Sequence, residues 1–178
     1  MITKFDKAFW KYELLHNKFY TIALEYKNKN PTFKSNPTIK ELADRIYSEY
    51  IRKTKGYISS LNEVVCECIT CNKKYPRYEI QNWHYHKRAD LKYRFMDNNN
   101  RPQCYRCNCI LWGNYISYTV AIADKLFKGN LKKAIAMYQD KEIKQIKDYE
   151  YIEMIEKWYK KIQEVQTTID KNKQALSL

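Results

Sequence analysis

The chain has 178 residues, 33 Lys+Arg against 20 Asp+Glu for a formal net charge of +13, three glycines and six cysteines. That length can bury a core without a disulfide scaffold, and 44% hydrophobic residues exclude an ordinary disordered chain. No charge-free apolar run approaches the roughly eighteen residues of a membrane-spanning helix, and the isolated Gly56, Gly113 and Gly129 exclude a glycine-rich phosphate loop.

Lys4 to about Lys27 carries Phe5, Phe9, Tyr12, Leu15, Phe19 and Ile22 at helical steps, which predicts an amphipathic helix. Charges among its apolar positions and the lack of a small-residue cleavage site argue against a secretory signal, so a soluble intracellular protein is expected. Residues 28–37 hold two prolines and read as a connector. Thr38 with Glu41 is a capping-box pattern opening a second helix through Leu42, Ile46 and Tyr50, fading near Gly56. Helical periodicity is then lost over 63–112, where Tyr78–Tyr85 reads as a strand. Helical pattern returns at Tyr115–Phe127, Leu131–Tyr138 and about Lys141 to Ile169, with Gly129 as a helix stop. The chain divides into an N-terminal helical region (1–62), a cysteine-bearing core (63–120) and a C-terminal helical region (121–178).

Cys68-Ile-Thr-Cys71 and Cys104-Tyr-Arg-Cys107 are two CxxC pairs separated by 32 residues. Each spacing lets two thiolates reach one ion from a tight turn, and two such knuckles complete the tetrahedral sulfur set of a structural Zn2+. Cys66 and Cys109 remain as buried small hydrophobes or bystanders. Between Lys73 and Arg106 lie nine basic residues against three acidic ones, interleaved with aromatics, a mix suited to nucleic-acid backbone contact. The plainer reading of the charge is a lysine-rich solvated surface, since 26 of the 33 basic residues are Lys.

His84 and His86 sit two apart, on one face if the segment is a strand. A neutral imidazole accepts a proton from water, and a bound divalent ion stabilises a leaving oxyanion, which is minimal equipment for phosphodiester hydrolysis. Plainer readings stand beside these. Asn108 caps a helix, Asn98–Asn100 form a polar turn, Arg88 and Arg94 are surface charges, and Trp83 and Trp112 belong to the core. Met154, Trp158 and Ile162 form an apolar stripe for the chain's own core or for a partner helix.

Asp44–Arg52 before the first knuckle, Gln81-Asn82-Trp83-His84-Tyr85 with Arg88, Arg94-Phe95, Asn99, Gln103-Cys104-Tyr105-Arg106-Cys107-Asn108, Gly113-Asn114 and Tyr118 follow in one order. Over residues 44–165 that order resembles the phage lambda NinG (Rap) recombination protein family, related to HNH, or His-Me finger, nucleases. The resemblance implies an α+β fold, a small zinc-bound treble-clef core (ββα-metal, HNH-like) flanked by N- and C-terminal helices. It implies a structure-specific DNA endonuclease acting on branched recombination intermediates, cytoplasmic in the host cell if phage-encoded.

Carried across, His84 is the general base, Asn99 orients it or steadies the loop, and Asn108 ligates a catalytic Mg2+ or Mn2+. Cys68, Cys71, Cys104 and Cys107 hold structural Zn2+. The DNA contacts fall to Lys87, Arg88, Arg94, Arg101 and Arg106. Two positions depart from the pattern: Trp83 precedes the base where many HNH enzymes have a metal ligand, and Arg101 stands where the family often has His. His86, Asp97 and Glu79 are candidates for the missing ligand. A homodimer through the C-terminal helices would suit symmetric strand cutting. The alternatives are a non-catalytic zinc-containing DNA-binding protein with a degenerate HNH centre, and a protein-binding zinc module.

Overall fold

The computed structural model describes residues 4–34, 36–140 and 145–175, with side chains from Glu13 onward. The side chains of Phe5, Phe9 and Tyr12, and residues 141–144, lie outside what it describes. α1 (Lys4–Lys29) and α2 (Ile39–Thr54) form where the apolar spacing predicts them. At the start of α2 the Glu41 N–H donates to the Thr38 hydroxyl at 3.2 Å and the Thr38 N–H donates to the Glu41 carboxylate at 2.9 Å, so both orphan donors are satisfied.

The middle of the chain builds two small antiparallel sheets. β1 (Tyr57–Ile58), β2 (Val64–Glu67) and β3 (Lys74–Pro76) pair in chain order, with Cys66 opposite Tyr75. β4 (Ile80–His84) pairs with β5 (Asn100–Cys104), setting Trp83 against Arg101 and His84 against Asn100. A single helical turn, α3 (Leu91–Arg94), bridges β4 and β5. After β5 the chain winds through a π-helical turn (Arg106–Ile110), closed by the Leu111 N–H on the Arg106 carbonyl. α4 (Tyr115–Phe127) and α5 (Leu131–Gln139) follow, with the Gly129 N–H reaching back to the Ala123 carbonyl at φ +80°.

α6 (Asp148–Ala175) starts later than the periodicity suggests and ends later. The Lys147 N–H donates to the Glu150 carboxylate at 2.8 Å, and Asp148 and Glu150 put negative charge at the positive helix end. That local capping chemistry sets the start. Among the described residues, no helix is long and apolar enough to cross a membrane.

Three apolar clusters hold these elements. Leu15, Phe19 and Ile22 of α1, Leu42, Ile46 and Ile51 of α2, and Ile155, Trp158 and Ile162 of α6 make the first. Trp158 and Ile162, the centre of the stripe suited to a partner helix, are therefore covered by the chain's own α1 and α2, with Met154 packed beside them. Val64, Cys66, Ile80 and the inner cysteines make the second, reached by Ile169 and Val165 of the same α6. Ile69, Tyr85, Tyr118, Ile122 and Ala134 make the third, with Trp83 and Tyr115 against it.

Arg94 is not a surface charge: it is buried, its Nε donates to Asp44 Oδ1 at 2.7 Å, and its other nitrogens reach Asp44 Oδ2 and the Arg88 carbonyl. Its expected role as a DNA contact is corrected to a tie between α2 and the segment after β4. Asp44→Ala would strand that buried guanidinium and is expected to cost about 3 kcal/mol, read from urea unfolding midpoints, with Asp44→Asn losing less.

Candidate metal centre and adjoining polar cavity

The two knuckles meet. The sulfurs of Cys68, Cys71, Cys104 and Cys107 all lie within 4.8 Å of one another, and Cys71 Sγ is 3.9 Å from Cys104 Sγ. Sulfurs at Zn–S distances of about 2.3 Å in a tetrahedron stand about 3.8 Å apart, so the four can hold a metal ion such as zinc. All six cysteines are free thiols.

Local structure explains how the knuckles form. The Cys68 N–H bonds the Lys73 carbonyl at 2.8 Å, the Asn72 N–H bonds the Cys68 carbonyl at 2.9 Å, and Asn72 takes φ +58°, which Asn tolerates better than most side chains. The Ile69 N–H bonds the Pro102 carbonyl at 3.0 Å, stitching the first knuckle to β5 beside the second. Burial pushes the Cys68 and Cys107 thiols up, so without a cation neither ionises at neutral pH. The Tyr75 hydroxyl, on β3 of the other sheet, hydrogen-bonds Cys104. Cys66 is buried and donates to the Arg52 carbonyl at 2.8 Å, while Cys109 is exposed, so neither joins the four.

Beside this centre lies a cavity of about 310 Å³ lined by Asn82, Trp83, His84, Lys87, Arg88, Asn108 and Tyr115. It joins the end of β4, the turn after it, the π-helical turn and α4. His84 is pulled down to about 4, first by burial and then by the Arg88 charge, with Arg94 adding to it. The Asp44 carboxylate and a hydrogen bond to the Arg94 backbone oppose this only in part. The imidazole is therefore neutral at physiological pH, and that backbone bond occupies one ring nitrogen. Asn108 donates its amide to Gln81 Oε1. The Asn82 amide donates to Asn100 Oδ1 at 3.3 Å, and Asn82 Oδ1 is buried with no hydrogen-bond partner.

The remaining candidates fall elsewhere. His86 is corrected as a ligand candidate: it is 3% exposed, stacks on Tyr93 with ring centres 4.0 Å apart, and bonds the Met137 carbonyl through Nε2. β4 ends at His84, so the shared face expected of His84 and His86 is lost in the bend that follows. The Asn99 side chain is spent on the backbone: its Oδ1 accepts the His86 N–H at 2.5 Å, and its amide donates to the Tyr93 carbonyl at 2.9 Å, so it braces the loop just past His84. Asp97 takes the Tyr47 and Tyr50 hydroxyls and Lys55, and Glu79 is exposed in the turn before β4; neither lines the cavity. Lys87 and Arg88 are exposed on the cavity wall, Arg106 is exposed outside it, and Arg101 donates to the Asp97 and Asn100 carbonyls.

Sequence reasoning missed four supports. Asp44 positions Arg94, and Gln81 receives Asn108. Gln103, fully buried, bonds Thr70 Oγ1 at 2.7 Å and the Gly113 carbonyl at 2.9 Å. Gly113 is the fourth. At φ +84°, a Cβ there would stand 2.3 Å from Trp83 Cζ2, so Trp83 fills the space that glycine leaves. Gly113→Ala is expected to destabilise the chain by about 3 kcal/mol and to disturb Trp83 fluorescence, checked by urea unfolding followed at the indole emission. Trp112 is also corrected: expected in the core, it is 86% exposed.

A family model described as bacteriophage lambda NinG protein matches residues 21–168. No curated protein and no solved structure matches the chain. The chain belongs to the NinG family.

Proposed function

We propose that this NinG-family chain is a metal-dependent, structure-specific DNA endonuclease acting on branched recombination intermediates such as Holliday junctions and D-loops. One observation carries the reading. His84 and Asn108, far apart in sequence, line one cavity with Lys87 and Arg88, on a frame tied by four cysteines. The order of knuckle, β4–β5 hairpin and knuckle-bearing helical turn supports a zinc-held treble clef of the HNH type.

In this reading His84, neutral and fixed by the Arg94 backbone, takes the proton of the attacking water. Lys87 and Arg88 hold the phosphodiester against it. Asn82 Oδ1, orphaned on the cavity wall, and Asn108 would hold Mg2+ or Mn2+, since amide oxygens suit hard cations. When bound, that ion supplies charge stabilisation at the leaving oxygen. Asn99 acts on the loop rather than on the base. Two-strand cutting asks for two copies, and a dimer would use a face other than the buried Trp158–Ile162 stripe.

A second reading is a non-catalytic, zinc-containing DNA-binding protein, and one observation favours it: no carboxylate lines the cavity. The experiment is cleavage of a labelled four-way junction with Mg2+ or Mn2+ by wild type and His84→Ala. Tight binding without cleavage in any divalent ion would leave only the second reading.

A further inference from the structure

The π-helical turn runs into Trp112, Gly113 and Asn114, three consecutive residues with positive φ of +51°, +84° and +45°. Gly113 is fixed by the Trp83 indole beneath it, and its N–H donates to the Asn108 carbonyl at 2.8 Å, which pins this loop to the cavity wall. Folding gives no comparable reason for Trp112. A tryptophan in left-handed backbone costs stability, and at 86% exposed it recovers little by packing. Ile116 is 83% exposed one turn further on, and Tyr105 and Ile110 are exposed on the preceding turn.

Charge decides what such a surface meets. No acidic residue occurs between Asp97 and Asp124, and the charged residues of that stretch are Arg101 and Arg106. Lys87 and Arg88 stand on the cavity that the loop borders. An exposed indole on a stretch of chain whose only charged residues are basic, next to a loop bordering a cavity lined by Lys87 and Arg88, suits the π-face of a nucleobase, as in grooves that track single strands.

We infer that Trp112 is a stacking platform for an unpaired nucleobase beside the phosphate held in the His84 cavity. This rests on the DNA-cleaving reading above and narrows it. Bases within an intact duplex are already stacked, so the platform favours DNA with unpaired bases, at a branch or gap, over uninterrupted duplex. The left-handed backbone holds the indole outward beside the cavity, where a base displaced from its partner meets it. The same geometry does nothing for a continuous double helix.

The test uses the full chain without added Mg2+ or Mn2+, reading anisotropy of a labelled paired duplex and of the same duplex carrying a short single-stranded gap. Wild type should prefer the gapped DNA. Trp112→Ala should weaken gapped binding about tenfold, leave paired duplex within about twofold, and Trp112→Phe should keep most of the preference. The exposed side chain leaves folding intact, which urea unfolding of each variant verifies. Equal loss on both DNAs, no loss on the gapped one, or no wild-type preference would overturn the inference. So would a Trp112→Ala variant that loses self-association in sedimentation while DNA binding is unchanged, since the surface would then belong to a second copy. Junction cleavage is scored separately: a gap preference that depends on Trp112 without any cleavage supports the platform and removes only the nuclease.

Discussion

Removing the metal ion that the four-cysteine centre can hold should unfold the middle of the chain. Freshly purified protein is expected to carry one equivalent of zinc, and a strong chelator should abolish the cooperative thermal transition of the segment around β2–β5. The reason lies in what the sulfurs replace. Cys68, Cys104 and Cys107 are members of the second apolar cluster, where Val64, Ile80 and Ile169 supply only part of the contact. Without an ion, burial keeps Cys68 and Cys107 protonated, and four sulfurs crowded within 4.8 Å pack less well than aliphatic groups. Structural zinc contributes on the order of 10 kcal/mol to folding in small knuckle domains, more than the stability of many whole domains. Cys107→Ser should act like the chelator, whereas Cys109→Ser should leave the melting temperature unchanged. Less than half an equivalent of zinc, or a melt indifferent to chelation, would remove the metal from the account.

The second large effect is on the cleavage activity proposed above. His84→Ala should lower junction cleavage roughly a hundred- to ten-thousandfold while leaving binding nearly unchanged, the signature of a lost general base. The pH profile adds a readout that a merely structural role would not move. With His84 at about 4, the base is already neutral well below physiological pH, so cleavage should persist to about pH 5 and fall as pH approaches 4. Stability follows the same group with a definite sign. The folded value lies below the ordinary 6.5, so the unfolded chain binds the proton first, and stability is lost as pH falls from about 6.5 to 4. The loss amounts to roughly 3 kcal/mol. His84→Gln, which keeps the zinc site, should flatten that window relative to wild type in urea unfolding at pH 4.5 and pH 7.

Much of this was readable from residue order. Local signals found α1, α2 and its Thr38–Glu41 box, α4, α5 and the β4 strand, because each depends on neighbours within a few residues. The four cysteines were readable because coordination chemistry restricts spacing. What failed depended on distant partners. Arg94 is buried because Asp44, fifty residues earlier, neutralises it. His86 turns into an aromatic pocket because Tyr93 and Met137 arrive from other elements. Trp112 escapes the core because the chain turns left-handed at the residue beside Gly113. β1 has only two residues, too few for a period to register.

α6 carries a consequence for how the protein is made. Its upper turns complete the core of α1 and α2, and its lower residues Val165 and Ile169 close the cluster around the cysteines. The tie between Lys18 and Glu156 spans 138 positions. During synthesis, α1 and α2 must therefore wait with oily faces uncovered until Asp148–Ala175 has emerged. This long-range closure is expected to slow folding relative to a chain held by local contacts alone.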